Sequence, residues 1–300
     1  MQTPYNIHSG TDGPEVLIAA GVHGDEYEPI MAAFKLKDIL HGILISGNVR
    51  IVPIVNTSAV LANSRYGSDG LDLARICPGK MDGSASEQSA AQISRLIEKA
   101  DYLIDMHTGG KIFNMHPLAG YMLHSDPEIL SKQQQMAKAF NLAVIWGTDA
   151  KPNGRTLSVA RDAGVPAIYV EYGGGNAVRE EIVSAYINGC LNVLGSLNMI
   201  ADHIPPANQV KYWVDDYTPN NGHLQTKLPA SAEGFFTPDV RIGQQVKAGQ
   251  LWGTIFDVRD FSTKNVFADE EGIVLFLRDA AYVKIGDALG GILPTQLSKI

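Results

Sequence analysis

Short runs of aliphatic residues alternate with helix-forming stretches over the first two thirds of the chain, and this alternation restricts the fold more than any other feature. The runs Val16 to Ala20, Val49 to Val55, Tyr102 to Met106, Leu142 to Trp146 and Ala167 to Glu171 read as strands. They are apolar throughout rather than at alternate positions, as strands covered on both faces are. Between them, Tyr27 to Leu40, Pro127 to Phe140 and Val178 to Leu197 read as helices. Ser84-Ala85-Ser86-Glu87 has the form of a capping box opening a helix to Lys99, with Ile93, Leu96 and Ile97 on one face. Strands and helices in alternation predict the α/β class, a mixed sheet flanked by helices.

The pattern changes around Ile204-Pro205-Pro206-Ala207-Asn208, after which short β-like runs are broken by glycines. The sequence therefore predicts a larger first domain over 1–204 and a smaller all-β domain over 205–300. Within the second, Val240-Arg241-Ile242-Gly243-Gln244-Gln245-Val246 matches Val283-Lys284-Ile285-Gly286-Asp287-Ala288-Leu289, so two similar hairpins are expected. That pattern resembles the lipoyl and biotinyl hammerhead fold. The turn at Asp269-Glu270-Glu271-Gly272 lacks the lysine that a carrier would modify, so a structural role is expected instead. In the first domain, Asn56 to Gly83 is rich in Gly, Ser and Asp and has no apolar period. A loop of that length inside a compact domain points to function.

Composition removes several classes. A formal charge of -8 does not suit a general nucleic-acid binder, which needs concentrated Lys and Arg. Cys77 and Cys190 form no Cys-x-x-Cys pair, so neither a disulfide framework nor a thiolate zinc knuckle is indicated, and a reducing compartment fits. Met1 to Ser9 shows no basic region leading into an apolar core, and no apolar run is long enough to cross a bilayer. The expectation is a cytoplasmic protein without a membrane or nucleic-acid partner, for which a homo-oligomer stays open.

Chemistry is concentrated at three predicted strand ends. Gly21-Val22-His23-Gly24-Asp25-Glu26 follows the first of the five runs, and its His-x-x-Glu spacing can set an imidazole and a carboxylate around one cation. Zinc accepts both ligand types, and a catalytic site needs three protein ligands and one open position. A loop histidine beside a helix-capping acid would read the same, so a third ligand decides. Asp105-Met106-His107-Thr108-Gly109-Gly110 offers His107 where the third run opens into a glycine turn, and ligands in open α/β sheets gather at such carboxyl ends. Tyr169-Val170-Glu171-Tyr172-Gly173-Gly174-Gly175 places an acid at another strand end. Beside an activated water it can take a proton and later give it to a leaving amine; alternatively it caps the next helix. His8, His41, His116, His124, His203 and His223 lack such context and read as structural or surface residues.

Between the histidine motifs lie Asn63-Ser64-Arg65-Tyr66-Gly67 and Asp72-Leu73-Ala74-Arg75-Ile76-Cys77-Pro78-Gly79. Taken in order, Gly-x-His-Gly-Asp-Glu, Arg-Tyr followed by Asp-Leu-x-Arg, Asp-x-His-Thr-Gly and Glu-x-Gly-Gly resemble the succinylglutamate desuccinylase and aspartoacylase family, a branch of the zinc carboxypeptidase fold. The resemblance spans about Glu15 to Gly175. It implies a zinc-dependent hydrolase domain holding one zinc ion through His23, Glu26 and His107, with Glu171 as general base. It further implies that Arg65 polarises the scissile carbonyl, that Arg75 clamps a substrate carboxylate, and that Asp72 orients a zinc histidine, His23. The family usually has Asn where this chain has Ala74. Arg155, in Asn153-Gly154-Arg155-Thr156, could supply a compensating charge to the substrate.

The implied reaction is removal of an acyl group from a small N-acylated amino acid. A zinc carboxypeptidase cutting short peptides shares the chemistry, and a non-catalytic zinc or ligand-binding protein shares the scaffold. The C-terminal β-domain, which in the resembling family restricts the active-site mouth to small ligands, ranks the carboxypeptidase lower, and a mere binder has no need for the acid Glu171 and the cation Arg65. No Gly-x-Ser-x-Gly elbow, phosphate loop or dinucleotide fingerprint occurs.

Overall fold

The structure, a computed structural model, describes residues 1–300 apart from 202, 220, 223, 225 and 226. The first part runs β1 (Tyr5–His8), β2 (Glu15–Ala19), α1 (Tyr27–Leu40), β3 (Asn48–Val52), α2 (Thr57–Ala62), α3 (Ala85–Ile97), β4 (Tyr102–His107), β5 (Phe113–Met122), α4 (Pro127–Phe140), β6 (Val144–Thr148), α5 (Thr156–Ala163), β7 (Ala167–Gly174) and α6 (Glu180–Ser196). The later part adds β8 (Tyr212–Asp215), β9 (Gly234–Pro238), β10 (Gln245–Val246), β11 (Leu251–Asp257), β12 (Thr263–Phe267), β13 (Gly272–Arg278), β14 (Tyr282–Val283) and β15 (Gly290–Leu293).

The main sheet is mixed, as the sequence predicts. Its order is β1-β3-β2-β4-β7-β5-β13-β10, with β6 and then β8 extending from β5. Strands β3, β2, β4 and β7 are parallel, and β5 runs antiparallel to β7. Val16 to Ala19 are fully buried, which accounts for the unbroken apolar run of a central strand. One face of the sheet is covered by α1, α4 and α6, through Leu36, Phe140 and Tyr186 among others. The other carries α3 and α5, where Ile93, Ile97 and Leu157 join Leu17 and Leu103 in a second core. Glu87 accepts a hydrogen bond from the Ser84 backbone N–H at 2.9 Å, as the capping box predicts.

The expected change near residue 204 is a change of architecture but not a break in the sheet. β8 pairs in parallel with β6, and β13 pairs antiparallel with β5, so the later segment returns to the main sheet. β10 and β15 flank β13 in that sheet, and the remaining four strands form a separate sheet, β12-β11-β9-β14, over a core built around Trp252, Phe236 and Ile255. The two repeat segments make the same turn. Gln244 N–H donates to Arg241 C=O and Asp287 N–H to Lys284 C=O, each at 3.0 Å, with Gly243 and Gly286 at φ of +73° and +88°. A positive φ at the third position is what a type II turn requires, which is why glycine recurs there.

Four elements of the first part were not legible as such, the short edge strand β1 among them. The long loop from Asn56 contains α2, started by the Asn56 side chain accepting from Ala59 N–H and ended by Asn63 in the left-handed region. β5 is hidden in sequence by His116 and Pro117, which sit where its register with β7 shifts, between Met115 and Leu118. α5 occupies Thr156–Ala163, a stretch too short to show an apolar period.

Candidate metal centre and substrate cavity

Parallel strands bring their carboxyl ends to one edge, and the three motifs meet there. His107 and Glu171 are direct neighbours in the β4–β7 register, and β2 ends just before the turn that carries His23. Side chains alternate along a strand, so Asp105 and His107 of β4, with Tyr169 and Glu171 of β7, share the face that carries α5. The turn after β2 is forced close to α2: a β-carbon at Gly24 would lie 2.0 Å from Ala59 backbone atoms. Gly24 N–H donates to Ser64 C=O at 2.9 Å, which ties the His23 turn to the loop that presents Arg65.

Glu26 stands at the N-cap of α1 yet makes no capping bond. Its two oxygens instead lie 2.7 Å from His23 Nδ1 and 2.9 Å from His107 Nδ1. All three residues are buried. Among the described residues, these three are the group whose ligand atoms could hold one metal ion, all lying within 4.8 Å of one another. His107 lies with His23 and Glu26 in this group, as the expected ligand set requires. The other histidines of the described residues stay outside this group, and His223 lies outside the described residues.

The far nitrogens of the two rings are held by carboxylates. His23 Nε2 lies 3.1 Å from Asp72 Oδ1, the pairing expected for Asp72, and His107 Nε2 lies 3.0 Å from Asp105 Oδ2. Asp72 is itself fixed by Ala74 N–H at 3.0 Å and by Arg65, whose Nε and Nη2 both reach Oδ2 at 3.0 Å. Burial alone would raise the Asp72 pKa; His23, Arg65 and Arg75 outweigh it and hold the group well below the usual carboxylate range. The role of Asp105 is not assigned from sequence, although the signal was present: an acid two residues before a strand histidine lies on the same face.

Electrostatics favour a cation between these donors. Burial opposes charge on both Glu26 and His107, but each is overridden by its neighbours. Glu26 is held down at about 2 by the two imidazoles, and His107 is pulled well above its ordinary value by Asp105 and Glu26. Two imidazoles and one carboxylate, with carboxylates behind both rings, match the donor set and outer support of a catalytic divalent metal site. Beside it, burial pushes Glu171 from 4.5 up to about 8, a rise that His107 opposes and Glu26 supports. Glu171 Oε2 is buried without a hydrogen-bond partner among the described residues. Gly174, at φ +123°, lets the chain turn sharply after that acid; a β-carbon there would lie 2.0 Å from Phe113 C=O.

These groups line one cavity of about 570 Å³. Arg65, Arg75 and Arg155 all reach it, as does Ala74. Burial lowers the pKa of Arg75, where attraction to Asp72 opposes repulsion from Arg155 and Arg65, and burial likewise lowers that of Arg155. Three mutually repelling guanidinium groups suit an anionic ligand. The loops bearing Arg75 and Arg155 are locked together: Cys77 N–H donates to Gly154 C=O at 3.0 Å, and a β-carbon at Gly154 would lie 2.3 Å from Arg75 O. Phe276 of β13 and the turn from Lys284 to Asp287 close the far wall, so the later segment bounds the cavity. No helix among the described residues is long and apolar enough to cross a membrane.

Residues 12–197 match the model of the succinylglutamate desuccinylase/aspartoacylase catalytic domain. The chain is 28% identical over 299 residues to an N-alpha-acetyl-L-2,4-diaminobutyric acid deacetylase of Halomonas elongata, a match covering 97% of this chain and 85% of that one. A succinylglutamate desuccinylase of Burkholderia thailandensis is 29% identical over 174 residues, 53% of this chain and 48% of that one. Among solved structures, a succinylglutamate desuccinylase/aspartoacylase of Rhodobacter sphaeroides superposes with a TM-score of 0.84 at 27% identity, covering 95% of this chain and 87% of that one. A product-bound ectoine utilization protein of Ruegeria pomeroyi reaches a TM-score of 0.87 at 24% identity, covering 96% and 87%, a likeness of fold.

Proposed function

Because the chain belongs to the succinylglutamate desuccinylase/aspartoacylase family, we propose that it is a zinc-dependent amidohydrolase that removes the acyl group from a small N-acylated amino acid. The observation that carries this reading is the convergence of both Nδ1 atoms on Glu26, beside a Glu171 oxygen that has no partner among the described residues, in one cavity with three arginines. The metal would be held by His23, Glu26 and His107. A zinc ion there supplies Lewis acidity, polarising the amide carbonyl and making water a better nucleophile.

The chain's own residues do the rest. Glu171 takes a proton from the attacking water and returns it to the amine as the C–N bond breaks. Arg65, gripped at two nitrogens by Asp72, is a fixed positive charge for the developing oxyanion. Arg75 takes the carboxylate of the amine half as a planar fork. We place the chemistry in 1–204 and give 205–300, read as a hammerhead-like unit, the task of walling the cavity and keeping it to small ligands.

The test is a deacylation screen of zinc-loaded protein against acetyl and succinyl derivatives of aspartate, glutamate and 2,4-diaminobutyrate, with short peptides alongside. Turnover of an acyl amino acid that Glu171→Ala loses supports the proposal. Equal turnover by both proteins on every compound would refute it, and turnover of peptides alone would assign a carboxypeptidase. Arg155 belongs to the substrate side of this reading. Charge-assisted hydrogen bonds contribute about 1.5–3 kcal/mol, so Arg155→Ala is expected to raise KM for a carboxylate-bearing substrate by roughly 10- to 100-fold with a smaller change in kcat. Steady-state kinetics check this, and an unaltered KM for acidic substrates would remove Arg155 from substrate binding.

A further inference from the structure

The two candidate ligand histidines are oriented by carboxylates that are themselves held very differently. Asp72 receives its bonds near the cavity, from Arg65 and from Ala74 N–H. Asp105 is wholly buried, and its Oδ1 has no partner among the described residues. Its Oδ2 lies 3.0 Å from His107 Nε2 and also accepts a hydrogen bond from Thr156 Oγ1. Thr156 is likewise buried and opens α5, directly after Arg155.

We propose that Thr156 is a positioning residue of the metal centre: its hydroxyl fixes the Asp105 carboxylate, which in turn fixes the His107 ring with Nδ1 facing Glu26. This rests on the proposed metal-dependent reading of the same site. The physical reason is a shortage of donors. A carboxylate has room for about four hydrogen bonds, yet Asp105 has one oxygen without a partner and one shared by two donors. With Thr156 removed, the imidazole is the sole remaining donor described for this carboxylate, and a buried acid so weakly held is costly. The acid is then free to rotate, and the ring loses its fixed orientation. Valine keeps the shape and branching of threonine but cannot donate, whereas serine keeps the hydroxyl.

Outer partners of metal ligands typically alter affinity by about 10- to 100-fold. Zinc dissociation constants for wild type, Thr156→Val and Thr156→Ser are measured by competition with a chromophoric chelator, and visible absorption spectra are recorded after cobalt(II) substitution. The expected result is about tenfold weaker zinc binding and altered cobalt bands in Thr156→Val, with both close to wild type in Thr156→Ser. Far-ultraviolet circular dichroism of the metal-free proteins identifies a variant that has merely misfolded, in which case the serine variant carries the comparison with wild type through its cobalt bands. Unchanged zinc affinity and unchanged cobalt bands in a folded Thr156→Val would overturn the proposal, as would a folded Thr156→Ser that departs from wild type as far as the valine variant. If wild type itself binds no zinc, the metal-dependent reading fails instead.

Discussion

His107→Ala is expected to remove both metal binding and turnover. Its Nδ1 is one of three donors around the proposed ion, and Glu26 already uses an oxygen on each ring. Losing a direct ligand should exceed the roughly 10- to 100-fold effect typical of an outer partner. The effect has a readout independent of catalysis. A ligand that binds only the folded state stabilises it by RT ln(1 + [L]/Kd), about 4 kcal/mol at a thousandfold excess over Kd. Zinc should therefore raise the Tm of wild type and leave that of His107→Ala nearly unchanged. A zinc-dependent rise of equal size in both proteins would show that the ion binds elsewhere.

The removal of His107 also changes the charge balance of the metal-free protein. Asp105 and Glu26 pull the His107 pKa well above its ordinary value, against the effect of burial. A raised histidine pKa contributes stability below its unfolded value, and that contribution is lost as pH rises through the folded value. The apo wild type thus depends on a proton where the metal-loaded protein would hold a cation. The ring is placed to accept either.

What could be read from the sequence follows from how local the information is. The gathering of His23, Glu26, His107 and Glu171 is legible because each belongs to a glycine-containing motif that ends or follows a strand, and parallel strands bring such ends together whatever the details of packing. The helices over Tyr27–Leu40 and Pro127–Phe140 are legible for the same local reason, an apolar period with a clear start and end. β5 was not, because its pairing with β7 joins residues about fifty apart, from Leu118 to Glu171, and Pro117 disguises it. Nor was the return of β13 to the main sheet, since Gly272–Arg278 reads equally well as a strand of an independent unit. Thr156 is a further case. Nothing near it in sequence announces a bond to Asp105, and only the fold brings the start of α5 under β4.

Glu171→Gln isolates the proton-transfer step while preserving shape. General acid and base groups contribute about 10²–10⁴-fold, so kcat is expected to fall by roughly 10³-fold with zinc affinity little changed. The same substitution tests the origin of the raised pKa. Burial lifts Glu171 from 4.5 to about 8 in the metal-free protein. A carboxylic acid whose folded pKa exceeds its unfolded one binds more protons when folded, so it loses stability as pH rises between those two values. Glutamine carries no such charge. The Tm of metal-free Glu171→Gln should therefore exceed that of metal-free wild type by a margin that grows from about pH 5 to pH 8 and then levels off. Thermal unfolding across that range measures the margin directly. A constant margin would mean that Glu171 is already ionised near pH 5, leaving it able to accept a proton from water but poorly matched to hand one to the departing amine.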